Sequence, residues 1–127
     1  MTKAQAQQII VIFIAILVAA SAIGYLFFPS AMLSVVGIQS NDQLDFLVRT
    51  LAAALVALLP GAWSVRRPEN SSLHWSVILG LAVYMFMSSA VDGHAVLTHL
   101  VNAISIPSII LRVLLGGLLL WLIPRRE

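Results

Sequence analysis

Ile9-Ile-Val-Ile-Phe-Ile-Ala-Ile-Leu-Val-Ala-Ala-Ser-Ala-Ile-Gly-Tyr-Leu-Phe-Phe28 decides the fold, because only Ser21, Gly24 and Tyr25 interrupt twenty residues of hydrocarbon. A bilayer core about 30 Å thick is crossed by roughly 20 helical residues, so this stretch reads as a membrane-spanning helix. Lys3 ahead of it and Ala20-Ser21-Ala22 within it also suit a secretory signal. The apolar run is longer than the roughly 7 to 15 residues of a signal core, however, and a retained span is expected. Pro29 closes the run. Pro29 to Ile38 is too short to cross, yet it alternates small polar and apolar positions at helical spacing, which predicts a short helix along the outer interface.

Working outward, three more apolar windows follow. With the first, they place spans at about 9–28, 44–65, 73–91 and 105–123 of a single domain, 1–127. A chain of 127 residues that is 61% hydrophobic and 9% charged, with a mean hydropathy of +1.02, has the composition of a lipid-embedded protein. The expected fold class is all-α: an integral-membrane, up-down four-helix bundle with a short interfacial helix after the first span.

The net charge of +2 comes from scattered basic residues with no stripe of interleaved aromatics, so nucleic acid is not an expected partner. If the spans alternate in direction, Lys3, Arg66, Arg67, Arg125 and Arg126 all fall on one side. The positive-inside bias then predicts both termini in the cytoplasm of a bacterial inner membrane. With no cysteine, disulfides, thiolate metal sites and dithiol redox chemistry are excluded.

Several local features carry expectations. Ser40, Asn41 or Asp42 should cap the second span. Asp45 and Arg49 lie four apart on one face of that span, suited to an ion pair. Ala53, Ala57 and Gly61 continue the face as a small-xxx-small stripe, for packing within the monomer or in a homo-oligomer. Pro60 is tolerable where a bundle satisfies the freed carbonyl. His74 and Trp75 suit the interface at the start of the third span, and Gly93 suits its C-cap. His94 to Ile104 then reads as a connector, a short surface helix burying Leu97, Val101 and Ile104, before Pro107 opens the fourth span.

Arg112 is the most informative polar residue. It lies eight residues beyond Ile104, about 12 Å along a helix. A central arginine costs about 2.5–3.5 kcal/mol on insertion scales and normally faces a bundle interior or an aqueous cavity; the alternative is a side chain snorkelling to the outer headgroups. Ser105, Ser108 and Gly116 share its helical face, and Tyr84, Ser88 and Asp92 form a matching face on the third span. Adding Arg49, Ser21 and Tyr25 gives an outer-half pocket drawn from every span. Two arrangements follow from its charges. Asp45 with Arg49 and Asp92 with Arg112 neutralise each other as structural pairs, or one guanidinium stays free to grip an anionic headgroup or carboxylate by a planar two-point contact.

His94 and His99 are candidate ligand contacts near that pocket. Their spacing of five rotates them apart on any continuous helix, so no metal site is expected. No nucleophile-elbow or phosphate-loop pattern occurs, so no cofactor is expected and a role as an independent enzyme is the less favoured of two alternatives.

Tyr25-Leu26-Phe27-Phe28-Pro29 closes the first span, a brief segment ends in Val36-Gly37-Ile38, and Asp45-Phe46-Leu47-Val48-Arg49 opens the second. This layout resembles the small DoxX-like bacterial membrane proteins over nearly the whole chain, through spacing and hydrophobic character. The resemblance implies a four-span inner-membrane protein, and some members of that family serve as membrane subunits of oxidoreductases acting with quinone. The functional expectation is an accessory subunit, or a binder of a polar or anionic lipid-like ligand in the outer-half pocket. A small transporter or a quinone-linked oxidoreductase subunit is the alternative. Membrane lipids, a homo-oligomer or a larger membrane complex are the expected partners.

Overall fold

A computed structural model describes residues 1–67 and 71–123. The described residues form five α-helices: α1 (Lys3–Phe27), α2 (Pro29–Val35), α3 (Asp42–Ser64), α4 (Ser72–Leu97) and α5 (Ile106–Leu122), the last preceded by a 3-10 turn at Ala103–Ser105. No strand occurs among the described residues. Four helices are long and apolar enough to cross a membrane: α1, α3, α4, and α5 with its preceding turn. Arg125 and Arg126 lie outside the described residues.

Local chemistry sets most boundaries. Thr2 caps α1 through a reciprocal box, its hydroxyl accepting from the Gln5 amide while the Gln5 side chain accepts from the Thr2 amide. Pro29 occupies the first turn of α2, where its missing N–H costs nothing. Asn41 caps α3 by accepting from the Leu44 amide, and Ser71 caps α4 by accepting from the His74 amide. Pro60 lies inside α3 without ending it.

α1 packs most extensively on α3 and α4 on α5, with lighter contacts joining α1 to α5 and α3 to α4. That order closes a ring of antiparallel neighbours in which α1 and α4 are diagonal. One core runs through it, built from Val11, Ile14 and Val18 of α1, Ile78, Leu81 and Met85 of α4, and Leu115 and Leu119 of α5. Gly116 lets α4 and α5 approach: a Cβ there would stand 3.1 Å from the Phe86 ring and 3.3 Å from the Met85 Cβ. The outer surface is apolar on every long helix, with Ile16, Leu51, Val83 and Leu114 all exposed, as a hydrocarbon solvent requires.

The structure departs from the sequence expectations at the end of α4 and in the connector, and it narrows them on α3. α4 does not stop at Gly93 but continues to Leu97. It ends where His99 adopts a left-handed φ of 58°, its amide donating to the Val96 carbonyl and that of Leu100 to the Ala95 carbonyl. This is a Schellman termination with histidine in the usual glycine position. Extending the helix through Gly93 keeps backbone carbonyls paired in a medium that offers no water. A glycine in mid-helix costs only about 1 kcal/mol.

The connector likewise forms no apolar surface helix. Leu97 and Ile104 are exposed and only Val101 is half-buried, because the Asn102 amide and side chain donate to the Val36 and Val35 carbonyls and pin the segment to the end of α2. That end is itself a Schellman turn at Gly37, where φ is +85° and a Cβ would approach the Asn102 side chain.

On α3 the buried positions are Ala52 and Ala62, with Leu55 and Leu59 packed between them. Ala53 and Ala57 face outward, so of the two uses of the stripe the monomer's own packing draws only on Gly61, which comes near α4 where a Cβ would lie 3.8 Å from Val77, and the homo-oligomer alternative stays in place.

Candidate functional site

Arg112 emerges from α5 between two groups that orient it. Its Nε donates to the Ser108 carbonyl one turn earlier at 3.3 Å, and its Nη2 donates to a carboxylate oxygen of Asp92 on α4. The Arg112 side chain is 18% exposed and that of Asp92 41%. The guanidinium therefore lies between helices and does not snorkel outward, while part of the carboxylate is left uncovered by protein. Both sit about 8–9 Å from the same end of the bundle, judged by helical rise from Leu97 and Ile106. A pair of this kind locks the register of α4 against α5, and partial exposure reduces its desolvation penalty relative to a fully buried pair.

The phenols of Tyr25 on α1 and Tyr84 on α4 lie within electrostatic reach of both charges. Of the expected pocket residues, Asp92 and Arg112 are in direct contact, and no hydrogen bond joins either phenol to them among the described residues. Ser105 and Gly116, on the Arg112 face, are buried, whereas Ser108 is exposed. Ser88 is half-buried and its hydroxyl donates to the Met85 carbonyl of its own helix at 3.2 Å, so it is not poised as a nucleophile.

Arg49 does not join this group. The expected pair with Asp45 is absent, because Asp45 accepts instead from Ser30 at 3.0 Å and from Ser40 on its other oxygen at 2.6 Å. The first turn of α2 supplies Ser30 and the loop between α2 and α3 supplies Ser40 at the start of α3, and together they satisfy the carboxylate without the cost of ordering a long arginine. Arg49 is left exposed on α3 with no hydrogen bond or ion pair among the described residues. An open concavity of about 520 Å³ beside this cluster is lined by Ser30, Ser34, Gly37, Ile38, Gln39 and Ser40.

His94 and His99 are both exposed, one in the last turn of α4 and the other in the turn beyond it. No group of three metal-ligating side chains occurs among the described residues.

At the opposite end lies a polar contact that sequence reasoning missed. His74 is buried, not interfacial, and so is Gln7. Gln7 Nε2 donates to the Val65 carbonyl at 3.0 Å and lies 2.8 Å from His74 Nε2. The carbonyl fixes that atom as the amide nitrogen, so its second hydrogen meets the imidazole nitrogen as an acceptor. This contact ties diagonal helices α1 and α4 to the end of α3. The available signal was a glutamine and a histidine at the same end of alternating apolar spans, but one-dimensional spacing does not relate α1 to α4.

Lys3 and Arg66 share that end, the Lys3 ammonium 4.9 Å from the Trp121 ring centroid and the Arg66 guanidinium 4.3 Å from that of Trp63. Comparison with protein families, with curated proteins and with solved structures returns no match.

Proposed function

We propose that this chain is a small multi-pass protein of a bacterial inner membrane, acting as an accessory or ligand-binding component that takes an anionic, lipid-like molecule at the Asp92 end. The observation that carries this reading is the contrast between two arginines at similar depth. Arg112 is engaged by Asp92, while Arg49 is exposed on the least enclosed long helix without a partner among the described residues. A guanidinium on an apolar helix face presents a planar fork that matches a phosphate or carboxylate in two contacts. Exposed apolar neighbours such as Phe46 and Leu47 suit the chains of such a molecule.

The test is the mass of the protein with its retained lipids, measured in mild detergent. The parent should carry an anionic lipid that Arg49→Leu loses and Arg49→Lys restores poorly, because an ammonium lacks the fork. Equal retention by parent and Arg49→Leu would overturn the reading.

Orientation is part of the same proposal. Lys3 and Arg66 gather at one end of the bundle, which favours a cytoplasmic position for that end. A reporter active only in the periplasm and fused after Glu127 should stay silent; a bright fusion would invert the arrangement.

A further inference from the structure

At the Lys3 end a groove of about 310 Å³ runs between α1 and α5, at the lower bound of ordinary small-molecule sites, about 300–1,000 Å³. Its walls are Ala6, Ile9 and Ile10 of α1 with Leu118 of α5, and Lys3 and Trp121 stand at its mouth. From Lys3 to Ile10 the groove descends about 10 Å along α1. Leu118 lies one turn deeper in the bundle than Trp121, since α5 runs antiparallel to α1. Polarity is therefore graded along the slot: a cation and an indole at the mouth, hydrocarbon below. Tryptophan prefers the headgroup level of a bilayer.

The charge at this end is one-sided. Among the described residues Lys3, Arg66 and Arg67 belong to it, whereas Asp42, Asp45 and Asp92 belong to the other end. Lys3 has no carboxylate partner among the described residues; its ammonium rests over the Trp121 ring.

We infer that this groove is a binding site for one anionic phospholipid of the leaflet at the Lys3 end, an acyl chain lying between Ile9, Ile10 and Leu118 and the phosphate meeting Lys3. The Thr2 hydroxyl, an acceptor in the cap of α1, keeps its hydrogen for the same phosphate but is neutral, so the charge contact falls to Lys3. The site is separate from the Arg49 reading, being at the opposite end of the bundle.

Trp121 serves as a local probe. The full chain carrying Trp63→Phe and Trp75→Phe keeps it as the one tryptophan of three. In vesicles of phosphatidylcholine, a small fraction of chain-brominated phosphatidylglycerol should quench Trp121 with an apparent affinity about fivefold above that of brominated phosphatidylcholine, the ratio expected of one lysine at an anionic surface. Lys3→Gln should bring the ratio to about one, and Lys3→Arg should keep it.

Equal quenching by the two lipids, or a preference that survives Lys3→Gln, would overturn the proposal. So would protection from both lipids, which would mean that a second copy covers the groove. Should the tryptophan replacements destabilise the chain, retained phosphatidylglycerol is counted by mass on the otherwise native protein. Lys3→Gln must then lose one molecule and Lys3→Arg none. Arg49→Leu leaves this site filled, so failure here and failure at Arg49 are read apart.

Discussion

The two ends of the bundle hold their helices together by opposite means. At the Lys3 end a neutral amide and an imidazole, both buried, join diagonal helices and take in the carbonyl of Val65, the residue that caps the end of α3. At the Asp92 end a charged pair, part of it exposed, joins two neighbouring helices, and Asn102 stitches the connector to α2 from outside. The difference follows from desolvation. A neutral hydrogen bond can be enclosed at modest cost, whereas a full charge is tolerated only where a partner or water remains near. The Asp92 end thus keeps a partly uncovered charge between its helices, whereas the Lys3 end closes its interior around neutral groups and carries its charges on the outside.

Three measurements would break or sharpen that contrast, beginning with the greatest loss. Gln7→Leu leaves the buried Val65 carbonyl without its donor and removes one partner of His74. It should cost about 2–3 kcal/mol, given ~1–3 kcal/mol for each buried group deprived of a bond. Thermal denaturation in detergent reads this, and Gln7→Leu with His74→Leu together should recover part of it. A Gln7→Leu protein as stable as the parent would mean that the closed end is not held by this contact.

Next comes Arg112→Leu. Fully buried pairs lose about 3–5 kcal/mol when one partner is removed, but Asp92 is 41% exposed and screening lowers the expected loss to about 1–2 kcal/mol. Asp92→Leu in the same chain should restore most of it, a coupling that a double-mutant cycle isolates. Strict additivity of the two changes would show that the pair does not join α4 to α5.

The smallest effect belongs to His99→Gly. It places the residue best suited to a left-handed φ where His99 now sits at 58°, and it should raise stability by up to about 1 kcal/mol. A lower melting temperature would show that the His99 side chain contributes more than the strain it imposes.

Much of the architecture was legible in one dimension. The four apolar runs, Pro29 and Pro107 at helix starts and a cap among Ser40, Asn41 and Asp42, which proves to be Asn41, are features of single segments, governed by hydrocarbon length and by backbone groups within a turn. Arg112 facing Asp92 was legible as well, since an arginine deep in an apolar helix has few tolerable surroundings. Where the reading failed, another part of the chain intervened. Asp45 was matched to Arg49 by local spacing, yet Ser30 and Ser40 reached it first. Gly93 suited a helix end, yet the demand for paired carbonyls carried α4 to the turn at His99.

What the sequence by itself determined is the set of spans and the end at which each charge of the described residues lies, because a residue's depth depends only on its distance along its own helix. Tertiary structure decided which faces meet. Rotation about each helix axis is set by packing, as where Gly116 admits Phe86, and the spacing of small residues did not reveal that α3 buries Ala52 and Ala62 and turns Ala53 and Ala57 outward. For the same reason only the assembled bundle could bring Gln7 to His74, 67 residues away, and leave Arg49 without the partner its spacing promised.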